Sequence, residues 1–167
     1  MRWSIFAIVV ALCVIAEVVA ANYGVALPLL CVCAFYFTMR YGAMRVFTGL
    51  FLAAALLDGV WMHRFPSQFL GVLAVILLSG SWRKYGDLGS GLSLGMSGIC
   101  IGVISWLSHL LGMLASSGHA LTWRAVLRPL PSQLFTAVLL TPTMAFLLNY
   151  LLRRRVAWLS DQVDDRQ

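Results

Sequence analysis

Hydrophobic residues arrive in long blocks, and short clusters of cations, glycines and prolines separate them. A helix needs about 20 apolar residues to cross a bilayer core roughly 30 Å thick. On that measure the pattern predicts six spans, at about 3–21, 24–39, 46–62, 67–81, 92–114 and 130–152, then a cytoplasmic tail over 153–167. Only Asn22-Tyr23-Gly24 separates the first two, so they run antiparallel. Pro28 falls in the first turn of the second, where proline is tolerated. The start also imitates a secretory signal, with Arg2, an apolar core from Ile5 to Ile15 and the small residues Val18-Val19-Ala20-Ala21. Cleavage there would leave five spans, but the apolar run is close to spanning length and a retained helix is preferred. The expected fold is all-α: a polytopic membrane protein forming a single bundle of six transmembrane helices.

Composition agrees with that pattern. Of 167 residues, 61% are hydrophobic and 11% charged, where a soluble domain is nearer half and a quarter. The net charge of +6, from 12 Lys+Arg and 6 Asp+Glu, would suggest nucleic acid in a soluble protein. Here the cations sit between apolar blocks, where they fix topology and touch anionic lipid. One side carries Arg2, Arg40, Arg45, Arg83, Lys84, Arg153, Arg154, Arg155 and Arg166; the other carries Arg64, Arg124 and Arg128. Cations accumulate on the cytoplasmic side, so both termini are expected there. Cys13, Cys31, Cys33 and Cys100 all lie in apolar runs and read as small hydrophobic filler.

Charge inside the blocks is rarer and more informative. From Arg45 the chain runs through twelve uncharged residues to Asp58, inside an apolar stretch reaching Met62. At about 1.5 Å per residue, Asp58 lies roughly 18–20 Å along from Arg45, within the membrane. A carboxylate at mid-membrane costs on the order of 2.5–3.5 kcal/mol and is kept where it faces protein or water. Glu17 and His109 also fall late in ascending helices, and Gln68 falls early in a descending one. The four share the outer half of the bilayer. They read either as one satisfied network holding helices together, as a ligand site or proton relay, or, for Glu17 and His109, as groups reaching the outer interface. The network is preferred, and asparagine is expected to imitate most of the Asp58 hydrogen bonding.

The fifth span carries the most regular pattern. Gly91, Gly95, Gly98, Gly102, Ser105, His109 and Gly112 alternate steps of four and three. Such a stripe keeps one face toward one partner helix and lets the backbones approach closely. It predicts that this helix is central, with Ile101 on the opposite face. Ala7 to Ala11 and Ala16 to Ala20 form weaker small-residue pairs in the first span. Pro142 removes the hydrogen bond to the Val138 carbonyl and predicts a kink, with Thr141 and Thr143 placed to compensate. The connection from Ala115 to Arg128 carries Leu121, Trp123, Val126 and Leu127 beside Arg124 and Arg128, and suits the outer headgroup region. The chain has no phosphate-cradling glycine loop and no metal-ligand spacing. Ser105 and Ser108 share a helix with His109 and make no nucleophile–base pair across a site. The expectation is a protein without catalytic residues, metal or cofactor.

Three segments carry a family resemblance. Leu27-Pro28-Leu29-Leu30 through Tyr36-Phe37-Thr38-Met39-Arg40-Tyr41-Gly42 is the first, and Gly49-Leu50-Phe51 through Leu56-Leu57-Asp58 the second. The third runs from Leu130-Pro131-Ser132-Gln133 through Thr141-Pro142 to Leu152-Arg153-Arg154. Together they resemble the bacterial rod shape-determining protein MreD family. The resemblance implies a non-enzymatic inner-membrane subunit of the elongation machinery that builds lateral peptidoglycan. It further implies association with an MreC-like protein and, through it, with MreB filaments and peptidoglycan synthases. The alternative is a substrate-binding subunit of a vitamin-type energy-coupling-factor transporter, also a six-helix protein of this size. The two families are expected to be similar in fold, so fold alone does not separate them.

Overall fold

The computed structural model describes residues 3–23, 25, 27–61, 66–85, 91–116, 127 and 129–164. The chain is an all-α polytopic membrane protein. Six helices are described: α1 (Trp3–Asn22), α2 (Leu29–Tyr41), α3 (Ala43–Val60), α4 (Ser67–Tyr85), α5 (Gly91–Ser116) and α6 (Pro129–Asp164). Four carry stretches long and apolar enough to cross a membrane: Trp3–Asn22, Ala43–Val60, Gly91–Ala115 and Pro129–Tyr150. Outward faces carry large apolar side chains, among them Leu12, Ile15, Leu56, Leu77, Phe135 and Phe146. These are the surfaces that lipid would cover.

The bundle is built around α2, which touches each of the other five helices. Every residue from Leu29 to Met39 is buried. A short helix that is apolar all round belongs inside the protein, and its 13 residues cover only about 20 Å. The expected centrality of the fifth span is therefore corrected. Small residues let one helix pair close; they do not place a helix in the middle. The expected span at 24–39 is also shortened, because Pro28 stands as the N-cap and the helix begins at Leu29. The Val32 N–H donates to the Pro28 carbonyl at 3.0 Å, and the N–H that proline lacks is one no helix would have used.

The turn into α3 rests on Gly42, whose φ of 87° lies where side chains are strained. Its N–H donates to the Thr38 carbonyl at 2.9 Å and closes α2. Three further ends differ from the sequence reading. α3 begins at Ala43, ahead of Arg45. α4 runs on through Arg83 to Tyr85 instead of turning at Ser81, and Trp82 Nε1 donates to Ser93 Oγ at 3.1 Å, joining its end to the start of α5. α6 continues to Asp164, so the expected polar tail is largely helical; charge ends an apolar run, but it need not end a helix.

α5 and α6 form the most extensive helix pair. A Cβ on Gly98 would lie 2.9 Å from the Val138 Cα and 3.0 Å from the Ala137 oxygen, and one on Gly102 would lie 3.0 Å from the Leu134 Cα. Those two glycines, four apart, are where the backbones approach. Gly91 and Gly95 meet nothing within 4 Å, so the working seam is shorter than the stripe. Gly112 is buried. Ile101 is wholly buried in the core, which corrects its expected outward placement; Ile99, 51% exposed, marks the outer face. Closer contacts join α1 to α3, where the Phe6 ring lies on Gly49, and α4 to α5, where Ser108 lies on Gly71. On α1, Phe6, Val10 and Cys13 face inward while Ala7, Ala11 and Ala16 are exposed.

α6 is one continuous helix through Pro142. Thr141 and Thr143 bond the Ala137 and Leu139 carbonyls at 2.7 and 2.6 Å, flanking the Val138 carbonyl that Pro142 leaves without its usual donor. Cys13, Cys31 and Cys33 are buried as free thiols and Cys100 is partly buried. Most of the connection from Ala115 to Arg128, with Trp123 and Arg124, lies outside the described residues, as do Arg64 and Arg128.

Candidate functional site: a polar cavity beneath two carboxylate caps

Two helices begin inside the bundle, and each needs acceptors for its first N–H groups. α4 receives them from Asp58 on α3. Asp58 Oδ1 accepts the Gln68 N–H at 3.1 Å, and Oδ2 accepts the Phe69 N–H at 3.2 Å. The Ser67 hydroxyl adds a longer donation to Oδ1 at 3.4 Å. Asp58 is 7% exposed and Ser67 fully buried. A carboxylate at this position also meets the positive end of the α4 dipole. Both oxygens of the intramembrane acid are therefore engaged in starting a helix.

Glu17 does the same for α2. Its Oε1 accepts the Leu30 N–H at 3.4 Å, in the first turn after Pro28. The arrangement repeats: a spanning helix carries a carboxylate late in its length, and that carboxylate caps the helix that follows. Because α2 is too short to cross alone, its N-terminus stays within the bundle, where water cannot serve its donors. The sequence singled out both acids; it did not show that their partners are backbone groups.

Beside these caps lies a cavity of about 20 Å³ lined by Glu17, Val25, Leu27, Leu57, Trp61, Gln68, Ser105, His109 and Gln133. Three of the four polar residues expected together, Glu17, Gln68 and His109, share this wall. Asp58 stands behind it, tied to Gln68 through the backbone. Ser105 from the α5 stripe also faces the cavity. The His109 ring meets Trp61 edge-on, with centroids 6.0 Å apart.

Gln133 is the residue that sequence reading passed over. It is 3% exposed, and its Oε1 is buried without a hydrogen-bond donor, as is Glu17 Oε2. An amide four residues inside a span, on the helix antiparallel to the one bearing His109, was the available signal. A second polar cluster ties the opposite end of α2 to α6. Asn149 Oδ1 accepts from both Tyr36 Oη and Arg40 Nη1 at 2.7 Å. Among the described residues no group of three His, Cys, Asp or Glu is placed to hold a metal ion.

A cavity of about 20 Å³ has room for roughly one water-sized species. Pockets for drug-sized ligands are nearer 300–1,000 Å³. What the arrangement does chemically is to satisfy helix ends, and it leaves two buried oxygen acceptors, Glu17 Oε2 and Gln133 Oε1, without a donor. Compared with family models, with curated proteins and with solved structures, the chain matches none.

Proposed function

We propose that this chain is a non-enzymatic membrane scaffold of the MreD type, supporting lateral peptidoglycan synthesis and rod shape through an MreC-like partner. In this reading it lies in the bacterial inner membrane with both termini cytoplasmic. The observation that carries it is the engagement of Asp58, whose two oxygens are taken by the Gln68 and Phe69 N–H groups. A carboxylate used to start a helix holds the bundle in register and is not offered to a substrate. The resemblance of the segments at 27–42, 49–58 and 130–154 supplies the identity of the machinery.

Depletion of the chain in its host tests the proposal. Rod-shaped cells are expected to round and lyse, and an MreC-like protein is expected to co-purify with the tagged chain. Cells that stay rod-shaped, and whose growth a vitamin restores, would sink the scaffold and support the transporter subunit instead.

A further inference from the structure

The apolar stretches of four helices meet at the end of α2 opposite Glu17. Leu29–Tyr41 on α2, Ser67–Arg83 on α4 and Pro129–Tyr150 on α6 stop there, and Ala43–Val60 on α3 starts there. Arg40 Nη1 ties two of them together, donating to Asn149 Oδ1 at 2.7 Å and to Tyr36 Oη at 3.5 Å. The Arg83 guanidinium reaches the same place, its Nη1 lying 3.4 Å from where a Cβ on Gly42 would stand. Cations from α2 and α4 therefore share the end of α2, and both side chains are exposed.

Two guanidinium groups so placed repel one another unless an anion joins them. Among the described residues neither has an acidic partner. Glu17 and Asp58 cap the starts of α2 and α4, the far ends of the helices that carry Arg40 and Arg83. From Asn149 to Asp161 the continuous α6 rises about 18 Å, which carries its first acid away from the pair. The C-terminal end of α2 offers roughly half a unit of negative charge. The pair keeps a surplus of about one and a half positive charges, and one anion of unit charge would offset most of it.

The donors and their depth select that anion. A guanidinium presents planar N–H donors that match phosphate oxygens two at a time. Arg40 spends Nη1 on Asn149 and Tyr36 and keeps Nε and Nη2. Headgroup phosphates lie where apolar stretches end, and anionic ones are drawn to arginines there. Met44, 92% exposed at the start of α3, offers an acyl chain an apolar surface nearby. We propose that Arg40 and Arg83, where α2, α4 and α6 converge, bind the phosphate headgroup of one anionic phospholipid. A general attraction of cations to lipid follows from sequence; a site for one headgroup follows from this convergence. The inference does not depend on the scaffold reading, because either class of protein lies in lipid.

Native mass spectrometry of the full chain, purified in detergent, tests it with phosphatidylglycerol or phosphatidylcholine added at equal concentration. One phosphatidylglycerol per chain is expected to stay bound, at several-fold higher occupancy than phosphatidylcholine, whose headgroup carries its own cation. Arg83→Lys keeps the charge and loses the planar fork. It is expected to fold and to lower phosphatidylglycerol occupancy several-fold, as is Arg40→Lys, and Arg83→Gln is expected to abolish the preference. Equal occupancy by the two lipids would overturn the proposal and leave the pair to the carboxylates of a protein partner. So would undiminished occupancy in folded Arg40→Lys and Arg83→Lys proteins, since charge alone would then attract the lipid. Inorganic phosphate at the same concentration is expected to leave the lipid in place. Displacement would make the ligand a free anion and overturn the assignment to lipid.

Discussion

Asp58 shows how a single residue changes meaning once its partners are known. A carboxylate within the membrane invites a search for a ligand or a proton path. Its acceptors instead divide between two backbone donors, Gln68 N–H at Oδ1 and Phe69 N–H at Oδ2. Asparagine carries one oxygen acceptor, so it can serve one of these donors while its amide N–H₂ faces the other. The sequence suggested that asparagine would imitate aspartate closely, and the bidentate geometry revises that. Asp58→Asn is expected to destabilise the protein by about 1–3 kcal/mol, the cost of one buried group left unpaired. Asp58→Leu strands both donors and should cost more. Thermal unfolding of the three proteins in detergent measures the order; equal stability of wild type and Asp58→Asn would show that the second acceptor contributes nothing.

At the scale of elements, the α5–α6 seam gives the sharpest contrast. Even a methyl on Gly98 would press on the Val138 Cα at 2.9 Å, and backbone cannot swing aside as a side chain can. Gly98→Leu and Gly102→Leu are expected to cost at least about 1–3 kcal/mol by overpacking and to reduce the folded fraction on size-exclusion chromatography. The control belongs at Ile99, which is outward, and not at Ile101, which is buried. Ile99→Phe should elute like wild type. Gly95→Leu is expected to be equally mild, since nothing lies within 4 Å of that position. The periodic stripe was legible because one helix face repeats every three or four residues. Which part of the stripe makes contact depends on where α6 crosses, and that is a property of two helices.

For the whole molecule, the cation asymmetry predicts sides. From nine cations against three, the termini and the connection at 86–90 are expected on the cytoplasmic side, and the connection at 117–126 opposite. Single cysteines introduced into the two connections of a variant lacking Cys13, Cys31, Cys33 and Cys100 should label from opposite faces of the membrane. Labelling from the same face would contradict the expected sidedness.

The sequence by itself determined the class of protein and most of its parts. Apolar blocks of spanning length, and intramembrane acids at positions 17 and 58, follow from local composition, which a linear chain displays directly. It also named Glu17, Gln68 and His109 together, and the three line one cavity. The tertiary structure decided lateral neighbours. α2 looked like one more span and is the core, since burial on every side depends on five other helices. Gln133 looked like part of a helix start and became an unpartnered acceptor at the cavity, since α6 carries it there. Hydropathy fixes how deep a residue sits in a membrane; only the packing of one helix on another fixes what it touches.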